Sequence, residues 1–240
     1  MNDIDLIEQD QLSINVILNN AFPKHGEMLC NRDYVFTDEE LSLLPLVKRE
    51  HPLYDEWELK KHSLKRLLNC IRKFDRSLNI LVAGCGNSWL AAKLAAATSG
   101  TVTCVDSGMD VLMQPMRVFG HISNLEFTDA DLRNTWPDKK FDLIIFSASI
   151  QYFSSLRPVL NMAMEQLTLI GQVHILNSPL YLKENSPIKK QQAGPNCHIH
   201  HIYELDCFRY KVLYDPGNWF QRSFTKGGPY CHIVIINRYY

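Results

Sequence analysis

The sequence predicts an α/β fold, a three-layer sheet of seven strands, mostly parallel, that ends in an antiparallel C-terminal hairpin. Three observations carry that expectation. From Asn79 onward, short apolar runs alternate with helix-like segments, the pattern of parallel strands buried on both faces. The first run, Asn79-Ile80-Leu81-Val82-Ala83, enters a tight Gly84-Cys85-Gly86 turn and then an alanine-rich segment. After Leu176 the alternation stops, and two further strand-like runs close the chain.

At 240 residues and 46% hydrophobic, the chain can bury one substantial core. Two parts are expected: residues 1–75 as a helical extension packed on or capping the core, and 76–240 as the main domain. With 25 basic and 26 acidic residues, the charge offers no face for nucleic acid and no patch for an anionic membrane. No apolar run approaches the roughly 18 residues that cross a bilayer. The start, Met-Asn-Asp-Ile-Asp, lacks the basic-then-apolar layout of a secretory leader. Cys70, Cys85 and Cys104 fall in segments that read as buried, and seven cysteines is an odd number. Reduced thiols and a cytoplasmic protein are the expectation.

The elements follow in order. Thr37-Asp38-Glu39-Glu40 has the form of a capping box before Leu41, Leu43 and Leu44, and Pro45 ends that helix. From Pro52 to Phe74, Trp57, Leu64, Leu67, Leu68 and Ile71 recur at helical spacing, opposite a solvated basic face. Strand one leads to a helix over Ser88 to Ser99 that Gly100 stops. Thr101 to Asp106 is the second strand, and Gly108 to Phe119 is a helix in which Pro115 predicts a break or kink. Asn124 to Phe127 is the third strand and Phe141 to Phe146 the fourth. Leu156 to Leu169 reads as a helix, with Pro158 in its first turn and Gly171 beyond its end. Gln172 to Leu176 is the fifth strand. Asn177 to Tyr203 is a long polar connection, with at most a short helix near Lys183 to Gln192, and such length suits a lid or binding loop. Phe208 to Tyr214 alternates like an edge strand, whereas Cys231 to Ile236 is nearly all apolar and reads as interior. The last strand therefore inserts into the sheet and leaves its partner at the edge.

In an open parallel sheet, ligands lie beyond the carboxyl ends of the strands. Those ends offer Gly84-Cys85-Gly86, Asp106, Asp129-Ala130 and Ser147-Ala148-Ser149. Glycines let backbone approach a ligand closely. Asp106 stands 22 positions after Gly84, near the spacing at which an acid meets a ribose diol. Asp129 and the Ala130 amide suit the edge of an adenine.

These segments together resemble the successive motifs of class I S-adenosylmethionine-dependent methyltransferases, most closely the small-molecule branch called type 11. The likeness covers residues 79–176, and the C-terminal hairpin fits that family's Rossmann-like seven-stranded sheet. It implies S-adenosyl-L-methionine as cofactor, held by Gly84, Cys85, Gly86, Asp106, Ser107, Asp129, Ala130 and Ser147. Ile150-Gln151-Tyr152-Phe153 resembles the segment that faces the substrate in this branch. Two positions depart from the pattern: Val82 stands where an acid usually helps hold the methionine ammonium, and Ser88 where a third glycine is common.

A dinucleotide-binding oxidoreductase, NAD(P)-dependent, is the competing class, but its fingerprint wants glycine where Trp89 stands. A methyltransferase fold that binds without catalysing is a third. Methyl transfer from a sulfonium needs alignment and desolvation more than a dedicated base, and no catalytic residue stands out. Tyr54, Trp57, Gln151, Tyr152, His198, His200 and the 178–203 loop are the candidates for shaping a small-molecule acceptor site. Cys197-His198-Ile199-His200-His201, with Cys231 and His232, matches no zinc spacing, so no metal is expected. A histidine of that cluster is a candidate base. Ser147-Ala148-Ser149 is not the Asn/Asp-Pro-Pro-aromatic run of enzymes that methylate adenine or glutamine amino groups, which argues against a nucleic-acid acceptor.

Overall fold

The computed structural model describes residues 35–181, 197–215 and 230–237. Helix α1 (Asp38–Leu43) opens with the expected box: Thr37 Oγ1 accepts the Glu40 N–H while Glu40 accepts the Thr37 N–H. This ties down two amides that a helix start leaves unpaired. Helix α2 (Tyr54–Ile71) turns Trp57, Ser63, Leu67 and Ile71 inward. Leu64 and Leu68 pack half-buried beside them. Lys60 and Lys61 pair with Glu56 and Glu58 on the solvated side.

The strands β1 (Ile80–Ala83), β2 (Val102–Asp106), β3 (Leu125–Asp129), β4 (Phe141–Ser147) and β5 (Leu167–Leu176) run parallel. Helices α3 (Trp89–Ala95), α4 (Met109–Phe119) and α5 (Leu156–Glu165) lie between them. A short pair, β6 (Leu180–Tyr181) and β7 (His200–His201), stands apart from the main sheet. Strands β8 (Tyr210–Tyr214) and β9 (His232–Ile236) finish the described chain, and the main sheet has the order β3-β2-β1-β4-β5-β9-β8. Strand β9 is antiparallel to both neighbours, and β8 is the edge. This is the insertion that the all-apolar and alternating patterns predict.

Strand order reverses between β1 and β4, which sets a crevice at their carboxyl ends. Two apolar layers flank the sheet. One holds Val82, Trp57, Trp89, Leu90 and Leu112 beneath α1 to α4, and the other holds Leu81, Phe146, Ile150 and Leu160 against α5. Each such side chain contributes about 1.5–3 kcal/mol by leaving water. The N-terminal segment is pinned to α4, where Arg117 forks onto Asp38 and Gln114 donates to the Phe36 carbonyl. Those bonds hold the Asp38 carboxyl down to about 2.

Four elements differ from the sequence expectation. Helix α3 ends at Ala95, well short of Ser99, and Gly100 does not cap it. That glycine instead lies so close to the Leu78 backbone that no Cβ fits. Helix α4 runs through Pro115 as one continuous element, with the ring buried against the core. Helix α5 stops at Glu165, and Leu167 to Ile170 belong to β5. Gly171 lies inside that strand, where the register with β4 slips between Phe141 and Leu143. A Cβ there would sit 2.9 Å from Leu167 Cβ. The glycine marks a bulge, which local sequence does not distinguish from a helix stop. The long connection carries β6, β7 and a 3-10 turn over Ile202–Leu205. The helix expected near Lys183 to Gln192 lies outside the described residues.

Candidate functional site

The site is built on the turn after β1. Gly84 and Gly86 both adopt left-handed backbone, with φ of 66° and 52°. Gly84 N–H and Cys85 N–H both donate to the Val105 carbonyl, while Gly86 N–H donates to Asp106 Oδ2 at 2.7 Å. The other carboxylate oxygen accepts the Ser107 N–H at 2.9 Å. Asp106 thus fixes the turn, and each of its oxygens retains acceptor capacity. A Cβ added at Gly84 would come within 2.6 Å of Ser149 Cβ, whereas one at Gly86 would project into open space. The turn is closed on one side and open on the other.

Asp106 and Asp129 are direct partners in the β2–β3 register, so the two carboxylates rise from one edge. Asp129 Oδ1 accepts the Gly108 N–H at 2.9 Å. The Ala130 amide, expected to read adenine, donates instead to the Asp106 carbonyl at 3.0 Å. The physical reason is that the parallel ladder continues one residue past β3 and claims that donor. Ser107 is exposed beside the pair, and Cys85 is buried beneath the turn. Burial and the neighbouring Cys104 push the Cys85 thiol well up, which keeps it an unreactive packing group.

At the end of β4, Ser147 Oγ accepts from Asn177 Nδ2 at 3.0 Å. Ser149 Oγ reaches across to the Ala83 carbonyl at 2.6 Å. Ser88, Ala148 and Asn177 all have positive φ without being glycine. They stand just beyond β1, β4 and β5, so backbone strain collects along one rim of the sheet, as it does at functional sites. The sequence offers Ser149 only as part of the Ser147-Ala148-Ser149 run, and it does not single out Asn177. Extending the strand-end rule to the fifth strand would have found Asn177.

The acceptor candidates divide. Gln151 is 3% exposed; its Nε2 donates to the Ala148 carbonyl and its Oε1 has no partner. Tyr54 and Tyr152 are half-buried. Trp57 does not line an open site. It is 2% exposed and meets Trp89 edge-on at 5.2 Å and Phe36 at 5.5 Å, because the amphipathic period that suggested it places it on the core face. His200 is buried, with Nε2 on the Phe153 carbonyl and Nδ1 facing Glu204. It fastens the 197–205 segment and is not a free base. His198 is exposed, held through its own N–H on the Gln151 carbonyl. Among the described residues no cluster of three metal-ligating side chains occurs. Cys70, Cys85, Cys104, Cys207 and Cys231 are not in disulfides, whereas Cys197 is disulfide-bonded, so the reduced state read from the sequence does not extend to it.

Comparison with known proteins agrees with this fold. Residues 80–168 match the family model described as a methyltransferase domain, a span that runs from β1 to the start of β5 in the strand order above. Over 104 residues, 42% of the chain, it is 29% identical to malonyl-[acyl-carrier protein] O-methyltransferase 2 of Ilyobacter polytropus. The match spans 40% of that relative's length. Among solved structures, geranyl diphosphate C-methyltransferase from Streptomyces coelicolor is similar with a TM-score of 0.57 at 15% identity, over 95% of this chain and 98% of that one. YcgJ of Bacillus subtilis has a TM-score of 0.57 at 15% identity, over 74% of this chain and 99% of that one. At such identities the structural likeness shows the fold alone.

Proposed function

We propose that the protein transfers a methyl group from S-adenosylmethionine to a small-molecule acceptor in the cytoplasm. The observation that carries the reading is the turn open at Gly86, with Asp106 bonded to it and Asp129 beside it in register. Gly86 leaves room that a Cβ would fill, and Asp106 keeps acceptor sites for two ribose hydroxyls. Gly84, Cys85, Ser107, Asp129 and Ser147 complete the cofactor rim; Ala130 shapes it without its amide. When bound, the cofactor supplies a methyl group already activated on a sulfonium sulfur. The chain's own work is then to align the acceptor and exclude water. Ser147, set by Asn177, forms the floor of this reading, and Tyr54, Gln151 and Tyr152 shape the acceptor site. Val82 is 2% exposed in the core, so a methionine ammonium would be held from other positions.

The balanced charge supports a small molecule over nucleic acid, and no described helix is long and apolar enough to cross a membrane. Trp89 lies buried against Trp57, where a dinucleotide fingerprint would need glycine for close helix–strand packing. The deciding experiment is a calorimetric titration with S-adenosylhomocysteine and, separately, NADH. The first binds and the second does not, and Asp106→Ala weakens binding by tenfold or more, about 1.4 kcal/mol. NADH binding that depends on Asp106 would overturn the reading. Turnover with an acceptor panel separates an enzyme from a binding protein.

A further inference from the structure

On the same face of the sheet as α3, two buried histidines touch outside the proposed cofactor rim, and an arginine of α2 lies over the strand beside them. His174 of β5 and His232 of β9 are 0% and 1% exposed. His174 Nδ1 and His232 Nε2 lie 3.0 Å apart, with ring centroids at 5.3 Å. Their outer nitrogens, His174 Nε2 and His232 Nδ1, are buried without partners. A neutral pair sharing one hydrogen bond must present one N–H and one lone pair at those outer atoms. Arg66 of α2 lies with its guanidinium 4.2 Å over the Tyr214 ring, and Tyr214 is opposite His232 in the β8–β9 register. Arg66 bears electrostatically on His232.

The guanidinium is incompletely satisfied. Nη2 donates to Ser63 Oγ, but Nε and Nη1 are buried without partners. Arg66 makes no ion pair among the described residues, and the Tyr214 phenol bears on it electrostatically. A half-buried cation with two unpartnered buried nitrogens, beside an imidazole pair with one unfilled N–H, is costly to fold around. The cost is offset when a ligand supplies the missing negative oxygens.

We propose that Arg66, His174 and His232 form the anchor for an oxyanion, a carboxylate or a phosphate, carried by the methyl acceptor. Naming the ligand as the acceptor rests on the methyltransferase reading; the anion site itself does not. His232 opens β9 at the carboxyl edge of the sheet, since Ile233 pairs with Ile175. Two strand spacings separate β4, with Ser147 at its end, from β9, roughly 10 Å. The acceptor is thus an acidic molecule whose charged group lies on the order of 10 Å across the sheet from the reacting end. An oxyanion also selects the tautomer that points N–H towards it, so the pair adapts without changing charge.

The test uses the full chain, as wild type, Arg66→Gln and Arg66→Lys, titrated with malonate, inorganic phosphate and the neutral malonamide. Each titration is run with and without S-adenosylhomocysteine, following the ring-nitrogen resonances of His174 and His232. Malonate or phosphate shifts both rings saturably and malonamide does not. Arg66→Gln weakens the anion at least tenfold, and Arg66→Lys restores part of it. The tighter of the two anions identifies the acidic group. Rings unmoved by either anion, an equal response to malonamide, or unchanged affinity in Arg66→Gln would overturn the anchor and leave a niche for structural water. S-Adenosylhomocysteine binds both Arg66 variants as it binds wild type. If anions bind and S-adenosylhomocysteine does not, the methyltransferase reading fails while the oxyanion site stands.

Discussion

Gly84 and Gly86 share a left-handed backbone two residues apart, yet alanine is expected to fail at them for different reasons. At either position alanine costs about 1–2 kcal/mol from φ alone. At Gly84 the new Cβ also meets Ser149 Cβ at 2.6 Å, and Ser149 is held by its bond to Ala83. Gly84→Ala therefore destabilises the fold by clearly more than Gly86→Ala, read as thermal midpoints. Gly86→Ala meets no protein atom within 4 Å, so it keeps more of its stability but loses cofactor affinity more than tenfold in calorimetry. The histidine pair gives a second residue-scale expectation. Burial pushes His174 down to about 4, and burial, His174 and Arg66 push His232 well below the ordinary range. Both enter the unfolded state by gaining protons below pH about 6.5. The stability they contribute is complete above that pH and is lost as pH falls towards 4. For His174 alone the loss is about 3 kcal/mol. Denaturant midpoints measured from pH 7 to 4 fall accordingly, and His174→Gln flattens the curve.

At the scale of elements, the opposite edge of the sheet is organised by Asp142 at the start of β4. Its carboxylate accepts Arg76 Nη2 at 2.8 Å, Asn79 N–H at 2.9 Å and Thr168 Oγ1 at 3.0 Å. Burial alone would raise this carboxyl; the three hydrogen bonds outweigh it and hold the group below its usual range. One side chain thus joins the residues before β1, the start of β4 and the bulged part of β5. Asp142→Ala strands those donors and should cost about 2–4 kcal/mol in denaturant unfolding. Cofactor affinity of the folded fraction stays unchanged, because the site lies at the other ends of these strands. The sequence displayed Asp142 only as the polar break in an apolar strand. Nothing local announces a bond to Arg76 or Thr168, which come together through topology. The same holds for Gly171: a glycine after a leucine-rich segment reads as a helix stop, and its place in a bulge depends on how β5 registers with Phe141.

At the scale of the molecule, what was legible is what period and strand-end chemistry encode. The alternation of β and α segments, the inserted apolar β9 and the edge pattern of β8 follow from burial, which each strand records in its own residues. Asp106 is legible as the acid that ends a buried strand, whereas its bonds to the Gly86 and Ser107 amides appear only in the fold. Trp57 packs in the core against Trp89 and Phe36, because a helix face is readable in the sequence but its partner is not. Arg66, His174 and His232 are far apart in the chain and are brought near one another by the β5–β9–β8 pairing and the stacking of Arg66 on Tyr214. The sheet also couples the proposed cofactor rim to global stability, because β1, β2 and β4 supply both that rim and the centre of the core. A ligand that binds only the folded rim must then stabilise the whole unit. With S-adenosylhomocysteine at a hundred times its dissociation constant, linkage adds about 2.7 kcal/mol. For a chain of this size that raises the thermal midpoint by roughly 5–10 °C. NADH at the same concentration leaves the midpoint in place, and Asp106→Asn, which retains an acceptor for the Gly86 N–H, shows a smaller rise from a near-native baseline. A shift confined to a fraction of the unfolding transition would mean that the rim and the core unfold separately, contrary to the shared strands.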